Sequence, residues 1–272
     1  MTATVLDTGA ADLPTVVCLH SLFLDPRMFD GLVETAAGRF RLVRPTFRGQ
    51  GDGVGGVDEP VTMEACADDV IELVEGLGVG AVSVVAQSMG ADVAVRVASR
   101  RPDLVRVMVV LGGSARAEPP ENIAAFSPLA DEVERHGFTG DTLETTMGIM
   151  FGETSRADPV RRPVVQLWRE RIAALDPLLC HAIRGVVQRS DAVGLLPSIA
   201  APTLVVSGTE DVARPPAWSD QLVDGLPDAT LWRLEGVGHS PVLEVPDLVL
   251  PRVLEFISSH QGGASTATGA GS

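Results

Sequence analysis

Apolar residues recur along the chain with two different periods. Residues 16–19 and 42–43 are short unbroken apolar runs of the kind that form buried strands, and between them residues 28–37 repeat their apolar positions at helical spacing. The sequence therefore opens as a strand, helix and strand. Residues 63–77 form a second amphipathic helical stretch with acidic residues on its polar face; Gly78 and Gly80 end it, and the apolar run 81–86 follows. From Met89 the period turns helical again, through Val93, Val95 and Val97, until Arg100 and Arg101 supply the positive charge that suits a helix end and Pro102 blocks continuation. Residues 105–111 are then another strand. Strands alternating with helices in this way predict an α/β fold with a mostly parallel sheet covered on both faces.

After Gly112 and Gly113 the strand-like runs disappear until residues 203–207. Residues 132–136, 143–151 and 164–187 instead carry Leu, Ile, Met, Trp and Phe at helical spacing, interrupted by Pro159, Pro163 and Pro177. So long a connection without structure would be exceptional, so the pattern predicts an inserted helical cap. Strand, helix, strand and helix signals resume at 203–207, 217–226, 230–234 and 247–260. These runs divide the chain into a core of residues 1–113 and 199–260, a cap of residues 114–198, and a low-complexity tail of residues 261–272 expected to be disordered. No internal repeat is visible.

With 272 residues, 45% of them apolar, the chain is large enough to bury a substantial core. Its formal charge of −15 argues against nucleic acid as a partner, because phosphate contacts need clustered Lys and Arg. Neither a leader-like N-terminal segment nor an apolar run long enough for a membrane helix is present, so the expectation is a cytoplasmic protein with no membrane partner. Cys18, Cys66 and Cys180 are odd in number and far apart, which suggests packing residues rather than a disulfide framework or a metal site. No cofactor is implied.

Chemistry enters where the strands end, since ligands of open parallel sheets bind beyond the carboxyl ends of the strands. The polar residues at those points are His20 and Ser21, Arg48, Gln87 and Ser88, Glu210 and Asp211, and His239 after the last strand. Ser88 stands between a strand and a helix, where it is either an ordinary helix cap or an exposed nucleophile on a tight corner.

The order serine, acid, histidine resembles that of the α/β-hydrolase family, and the resemblance runs over nearly the whole chain apart from the tail and, weakly, the cap. Ala86-Gln87-Ser88-Met89-Gly90 is similar to the family's G-x-S-x-G elbow, with Ala in place of the first Gly. The segment ending in Glu210-Asp211 resembles the acid-bearing strand and turn, with Asp211 preferred to Glu210, and Gly236-Val237-Gly238-His239 resembles the histidine loop. The resemblance implies an α/β-hydrolase fold, a catalytic triad of Ser88, Asp211 and His239, and an oxyanion hole made by the backbone N–H groups of Leu22 and Met89. Leu19-His20-Ser21-Leu22-Phe23 departs from the usual His-Gly start of that donor loop. Residues 19–29 are also similar, weakly, to the 3-oxoadipate enol-lactonase-like branch. Residues 45–51 resemble the family's Asp-x-Arg-Gly-His-Gly turn with Thr46 and Gln50 substituted, and Arg48 there reads either as a carboxylate contact or as a structural tie.

Ser88 rather than Asp at the elbow, and a chain without tyrosine, do not support the dehalogenase and epoxide hydrolase branches. Phe126, Phe138, Met147, Met150, Phe151, Trp168 and Leu179 are cap residues that could form an apolar acyl or ring pocket, with cap packing as their alternative role, and Phe23, Met147, Phe151 and Trp168 are the expected substrate-binding residues. The leading expectation is a cofactor-independent serine hydrolase acting on a small ester or lactone with an apolar portion, in a monomer or a homo-oligomer. A perhydrolase or haloperoxidase-like reaction, a C–C bond hydrolase and a non-catalytic ligand-binding protein remain the alternatives.

Overall fold

The computed structural model of the protein describes residues 4–54, 57 and 59–261. Seven strands, β1 (Val5–Asp7), β2 (Thr15–Leu19), β3 (Arg41–Pro45), β4 (Val82–Gln87), β5 (Val105–Leu111), β6 (Thr203–Gly208) and β7 (Ala229–Leu234), form one sheet in the order β1-β3-β2-β4-β5-β6-β7. Every neighbouring pair is parallel except β1 with β3. Strands β2, β4 and β6 bury every residue, as continuous β-branched runs must when helices cover both sheet faces. The edge strand β1 has no counterpart in the sequence pattern. It is three residues long and half exposed, and pairing of Val5, Leu6 and Asp7 with β3 is what makes it a strand.

Helices α1 (Asp30–Ala36), α2 (Met63–Leu77) and α3 (Met89–Arg100) join strands β2 to β5 in turn. Thr62 caps α2 by accepting the N–H of Ala65, and Gly78 ends it in the left-handed region at φ 65°. The apolar stretch at 28–37 begins with a 3-10 turn at Pro26–Phe29, because Asp25 captures the N–H of Arg27 before α1 starts.

Between β5 and β6 lie α4 (Pro120–His136), α5 (Gly140–Met150), α6 (Glu153–Ala157), α7 (Arg162–Ala173) and α8 (Cys180–Val187). Helix α4 starts twelve residues before the periodic run at 132–136. Its first turns are only partly buried and Pro128 lies inside it, so tertiary packing on α8 supplies what local pattern lacks. The run 164–187 is divided by a 3-10 turn at Pro177–Leu179, started by the Asp176 side chain accepting the N–H of Leu178. The last layer consists of α9 (Pro216–Gly225), α10 (Pro241–Glu244) and α11 (Pro246–Ser259). The expected disordered tail lies, from residue 262 onward, outside the described residues. Among the described residues no helix is long and apolar enough to cross a membrane.

All three cysteines are buried and unpaired. Burial pushes the thiols of Cys18 and Cys66 up to about 12 and raises that of Cys180, which keeps them protonated and suits packing.

Candidate functional site

Strand β4 ends at Gln87 and α3 begins at Met89, so one residue makes the corner. Ser88 sits at φ 52° and ψ −113°, a left-sided conformation that non-glycine residues avoid, and its side chain makes no capping hydrogen bond. Its N–H donates to Leu111 of β5 at 3.1 Å, which ties the corner to the sheet. The next turn is equally constrained: a Cβ on Gly90 would lie 2.2 Å from the Leu19 carbonyl oxygen, so α3 can rest this close to β2 only with glycine there.

Asp211 follows β6 and His239 follows β7. His239 Nδ1 lies 2.8 Å from Asp211 Oδ2, and both side chains are buried. The other carboxylate oxygen accepts the backbone N–H groups of Ala213 (3.0 Å) and Arg214 (2.8 Å), so the acid is held from both sides. With Nδ1–H donating to Asp211, Nε2 is the free lone pair of a neutral ring. His239 and Ser88 line the same cavity. Glu210 turns elsewhere, accepting the N–H and hydroxyl of Thr154.

Two residues that the sequence pattern did not single out shape this pair. Gly112, at φ 50°, passes so near that a Cβ would lie 2.9 Å from Asp211 Oδ2 and 3.1 Å from His239 Nδ1. Glu244 is buried and holds the histidine loop from beneath: Oε1 accepts the N–H of Ser240 (2.9 Å), while Oε2 accepts those of Gly238 (2.9 Å) and Gly152 (3.1 Å) and the Ser155 hydroxyl. Both N–H groups flanking His239 are thus fixed by one carboxylate, which also grips the helical segment between β5 and β6. Its signal in the sequence was a carboxylate five residues beyond the histidine, in a helix of one turn.

On the opposite wall, Leu22 and Phe23 reach the cavity. The Ser21 carbonyl accepts from His20 Nδ1–H at 2.9 Å and from the Leu24 N–H at 3.3 Å. Because the peptide bond between Ser21 and Leu22 is trans, the Leu22 N–H of the same peptide unit points away from His20. The Phe47 N–H donates to His20 Nε2 at 3.1 Å, which sets the tautomer, and burial pushes the His20 pKa down to about 4. Met89, the first residue of α3, holds an N–H that has no acceptor within its helix.

The cavity has a volume of about 60 Å³ and is walled mainly by apolar side chains, among them Phe126 and Leu129 of α4, Ile149 and Met150 of α5, and Ile183 and Val187 of α8. Of the four side chains expected to bind substrate, Phe23 lies on this wall and the other three do not. Only the last turn of α5 reaches the cavity, so Met147, one turn earlier, is buried in packing, as is Phe151 beyond the helix end. Trp168 lies under the Arg171 guanidinium, 4.6 Å from the ring centre, beside a separate groove. Arg48 also stays out of the cavity, in a two-pronged ion pair with Asp69 of α2.

Residues 16–252 match the sequence profile of the alpha/beta hydrolase family. A thermophilic esterase from Thermogutta terrifontis superposes with a TM-score of 0.84 at 28% identity, over 94% of this chain and 93% of that one. The enol-lactonase from Burkholderia xenovorans LB400 gives the same score at 23% identity, over 94% and 96% of the two chains, and so speaks for the fold alone. Over 93% of its length the chain is 28% identical to polyketide synthase ThaQ of Burkholderia thailandensis, and spans 12% of that protein. The profile match covers most of the seven-stranded sheet and all of the residues around the cavity, and the chain belongs to the alpha/beta hydrolase family.

Proposed function

We propose that the protein is a serine hydrolase that cleaves a carboxylic ester or lactone through Ser88, His239 and Asp211. The observation that carries this reading is the 2.8 Å contact between His239 and Asp211 on the cavity where a strained, uncapped Ser88 stands. In this reading His239 Nε2 takes the Ser88 proton as Oγ adds to the carbonyl carbon, and Asp211 steadies the imidazolium. The oxygen that becomes negative is received by the N–H groups of Leu22 and Met89, helped by the positive end of α3. Collapse expels the alcohol, which takes the proton from His239 and leaves an acyl group on Ser88. Water, deprotonated by the same ring, then releases the acid. The likeness to an esterase at 28% identity supports this substrate class.

The helical segment at 114–198 serves as a cap that walls the acyl side of the cavity, over a core of residues 1–113 and 199–260. The test is hydrolysis of a short-chain nitrophenyl ester series and a phenyl lactone by wild type and Ser88→Ala, with folding checked by circular dichroism. Turnover that falls by about 10⁴-fold or more in Ser88→Ala supports the acyl-enzyme reading. Equal rates in both proteins, or a folded wild type that binds these esters without turning them over, would replace it with a ligand-binding role.

A further inference from the structure

The loop that carries His239 is built partly by the helical segment between β5 and β6. Residues 236–240 and 152–155 meet backbone to backbone: a Cβ on Gly238 would lie 2.1 Å from the Gly152 nitrogen, and one on Gly152 would lie 2.8 Å from the Gly238 nitrogen. Only glycine fits at both points. Two N–H groups brought this close need an acceptor, and Glu244 Oε2 serves both, Gly238 at 2.9 Å and Gly152 at 3.1 Å, together with the Ser155 hydroxyl. Its Oε1 takes the N–H of Ser240 at 2.9 Å. Arg161 closes the knot from the other side, its Nη1 donating to Ser155 Oγ at 2.8 Å and to the Gly236 carbonyl at 3.3 Å, while Ser155 passes its own proton to Glu244.

A buried carboxylate depends on its donors for the solvation that water no longer gives. Glu244 is 2% exposed, and residues 152–155 supply two of the three donors to Oε2. Releasing them would unbalance the carboxylate that also holds both N–H groups flanking His239. The same residues continue the cavity wall: Ile149 and Met150, in the last turn of α5, line the cavity, and Gly152 follows two residues later. The acyl wall and the base therefore share one carboxylate.

We propose that Glu244 is a positioning residue that aligns His239 with Ser88 while residues 152–155 are seated on it, so that the readiness of the base depends on the segment that walls the acyl group. This rests on the hydrolase reading and adds a residue to its machinery. Glu244 does not line the cavity, so it acts on the substrate through His239. Because one ring serves both acylation and deacylation, misalignment slows the two steps together and is felt in kcat rather than KM. The segment stays docked without Glu244. Thr154 donates its N–H to Glu210 at 2.9 Å, and the two ends of the segment are pinned by a closed ring of four buried charges. In that ring Arg214 reaches Asp92 and Glu118 at 3.0 Å, and Arg189 reaches Glu118 at 2.8 Å and Asp92 at 3.3 Å.

The experiment compares wild type, Glu244→Gln, Ser155→Ala and the double variant on one short-chain nitrophenyl ester, and follows the His239 Nδ1 proton by NMR, assigned by its loss in His239→Gln. Glutamine keeps the volume of glutamate but accepts at one end only, so one N–H beside His239 loses its partner. In Glu244→Gln kcat should fall by about 10-fold to 100-fold with KM within about threefold of wild type. Ser155→Ala should lower kcat by about threefold to tenfold, again at unchanged KM, and should cost nothing further in the Glu244→Gln background, since both changes break one contact. The His239 proton should broaden through faster exchange with water in each single variant. A wild-type kcat in folded Glu244→Gln or in Ser155→Ala, or losses that add in the double variant, overturns the proposal. Should Glu244→Gln yield no folded protein, Ser155→Ala, which removes a single hydroxyl, decides by the same criterion. If folded wild type turns over no ester, the hydrolase reading fails and the NMR signal decides alone: broadening in both single variants supports the positioning role, and an unchanged signal in either overturns it.

Discussion

The sheet and the helical segment between β5 and β6 meet at one cavity but are held together differently. The sheet side is assembled from strand ends. Ser88 directly follows the buried strand β4, Asp211 lies in the turn after the buried β6 and His239 in the loop after the partly exposed β7, and each is fixed by backbone contacts within a few residues or from the adjoining strand. The helical side contributes apolar area from three helices, α4, α5 and α8, none of which has a special backbone conformation at the cavity. Its two ends are tied to the sheet side by Glu118 and Arg189, through charge rather than register. On the proposed reading, chemistry resides where the backbone is constrained, and selectivity where side chains pack.

That contrast makes separable demands on variants. The largest expected effect lies on the sheet side: Asp211→Asn keeps the shape of the acid but gives His239 Nδ1 the wrong partner, and kcat/KM for any ester substrate should fall by about 10⁴-fold with little change in thermal stability. A fall of tenfold or less, in folded protein, would show that the 2.8 Å contact is structural. On the helical side the expectation is reversed. Phe151 is fully buried and lies off the cavity, so Phe151→Ala should cost about 3–5 kcal/mol in denaturant unfolding. The kcat of the protein that remains folded should change far less than in Asp211→Asn. Similar catalytic losses in the two variants would erase the division between the regions.

A third, smaller effect sharpens the sheet side alone. His20 is neutral and buried with its pKa pushed from 6.5 to about 4, so between these values the unfolded chain takes up a proton that the folded protein refuses. Its contribution is complete above pH 6.5 and is lost as the pH falls towards 4, at about 1.4 kcal/mol per pH unit and about 3 kcal/mol in all. Unfolding free energies measured across this range should show a shallower acid slope in His20→Gln than in wild type. Parallel slopes would mean that His20 accepts its proton without strain.

The sequence by itself determined the strands and the order of the chemical groups. Buried parallel strands are written as continuous β-branched runs, and polar residues just beyond them lie at the sheet's carboxyl edge, which put Ser88, Asp211 and His239 in one set with His20, Ser21, Arg48, Gln87 and Glu210; the resemblance to the α/β-hydrolase order is what drew the three from it. The short run Val5–Asp7 and the first turns of α4 did not, because neither has a local pattern; each exists through the surface it packs on. The sequence already favoured Asp211 over Glu210, and the tertiary structure adds the reason: the side chains of these adjacent residues leave the turn in different directions, Asp211 to His239 and Glu210 to Thr154. The tertiary structure alone sorted the apolar cap residues, placing Met147, Phe151 and Trp168 in packing, keeping the expected Phe126 and Met150 on the cavity and adding Ile149, Ile183 and Val187, since helical spacing marks an apolar face without saying what that face touches. The same holds for Glu244 beneath the histidine loop and for the ring of Asp92, Glu118, Arg189 and Arg214. These contacts bridge separations of up to 122 residues, and an isolated charge in a sequence looks like any other solvated charge until the fold removes the water around it.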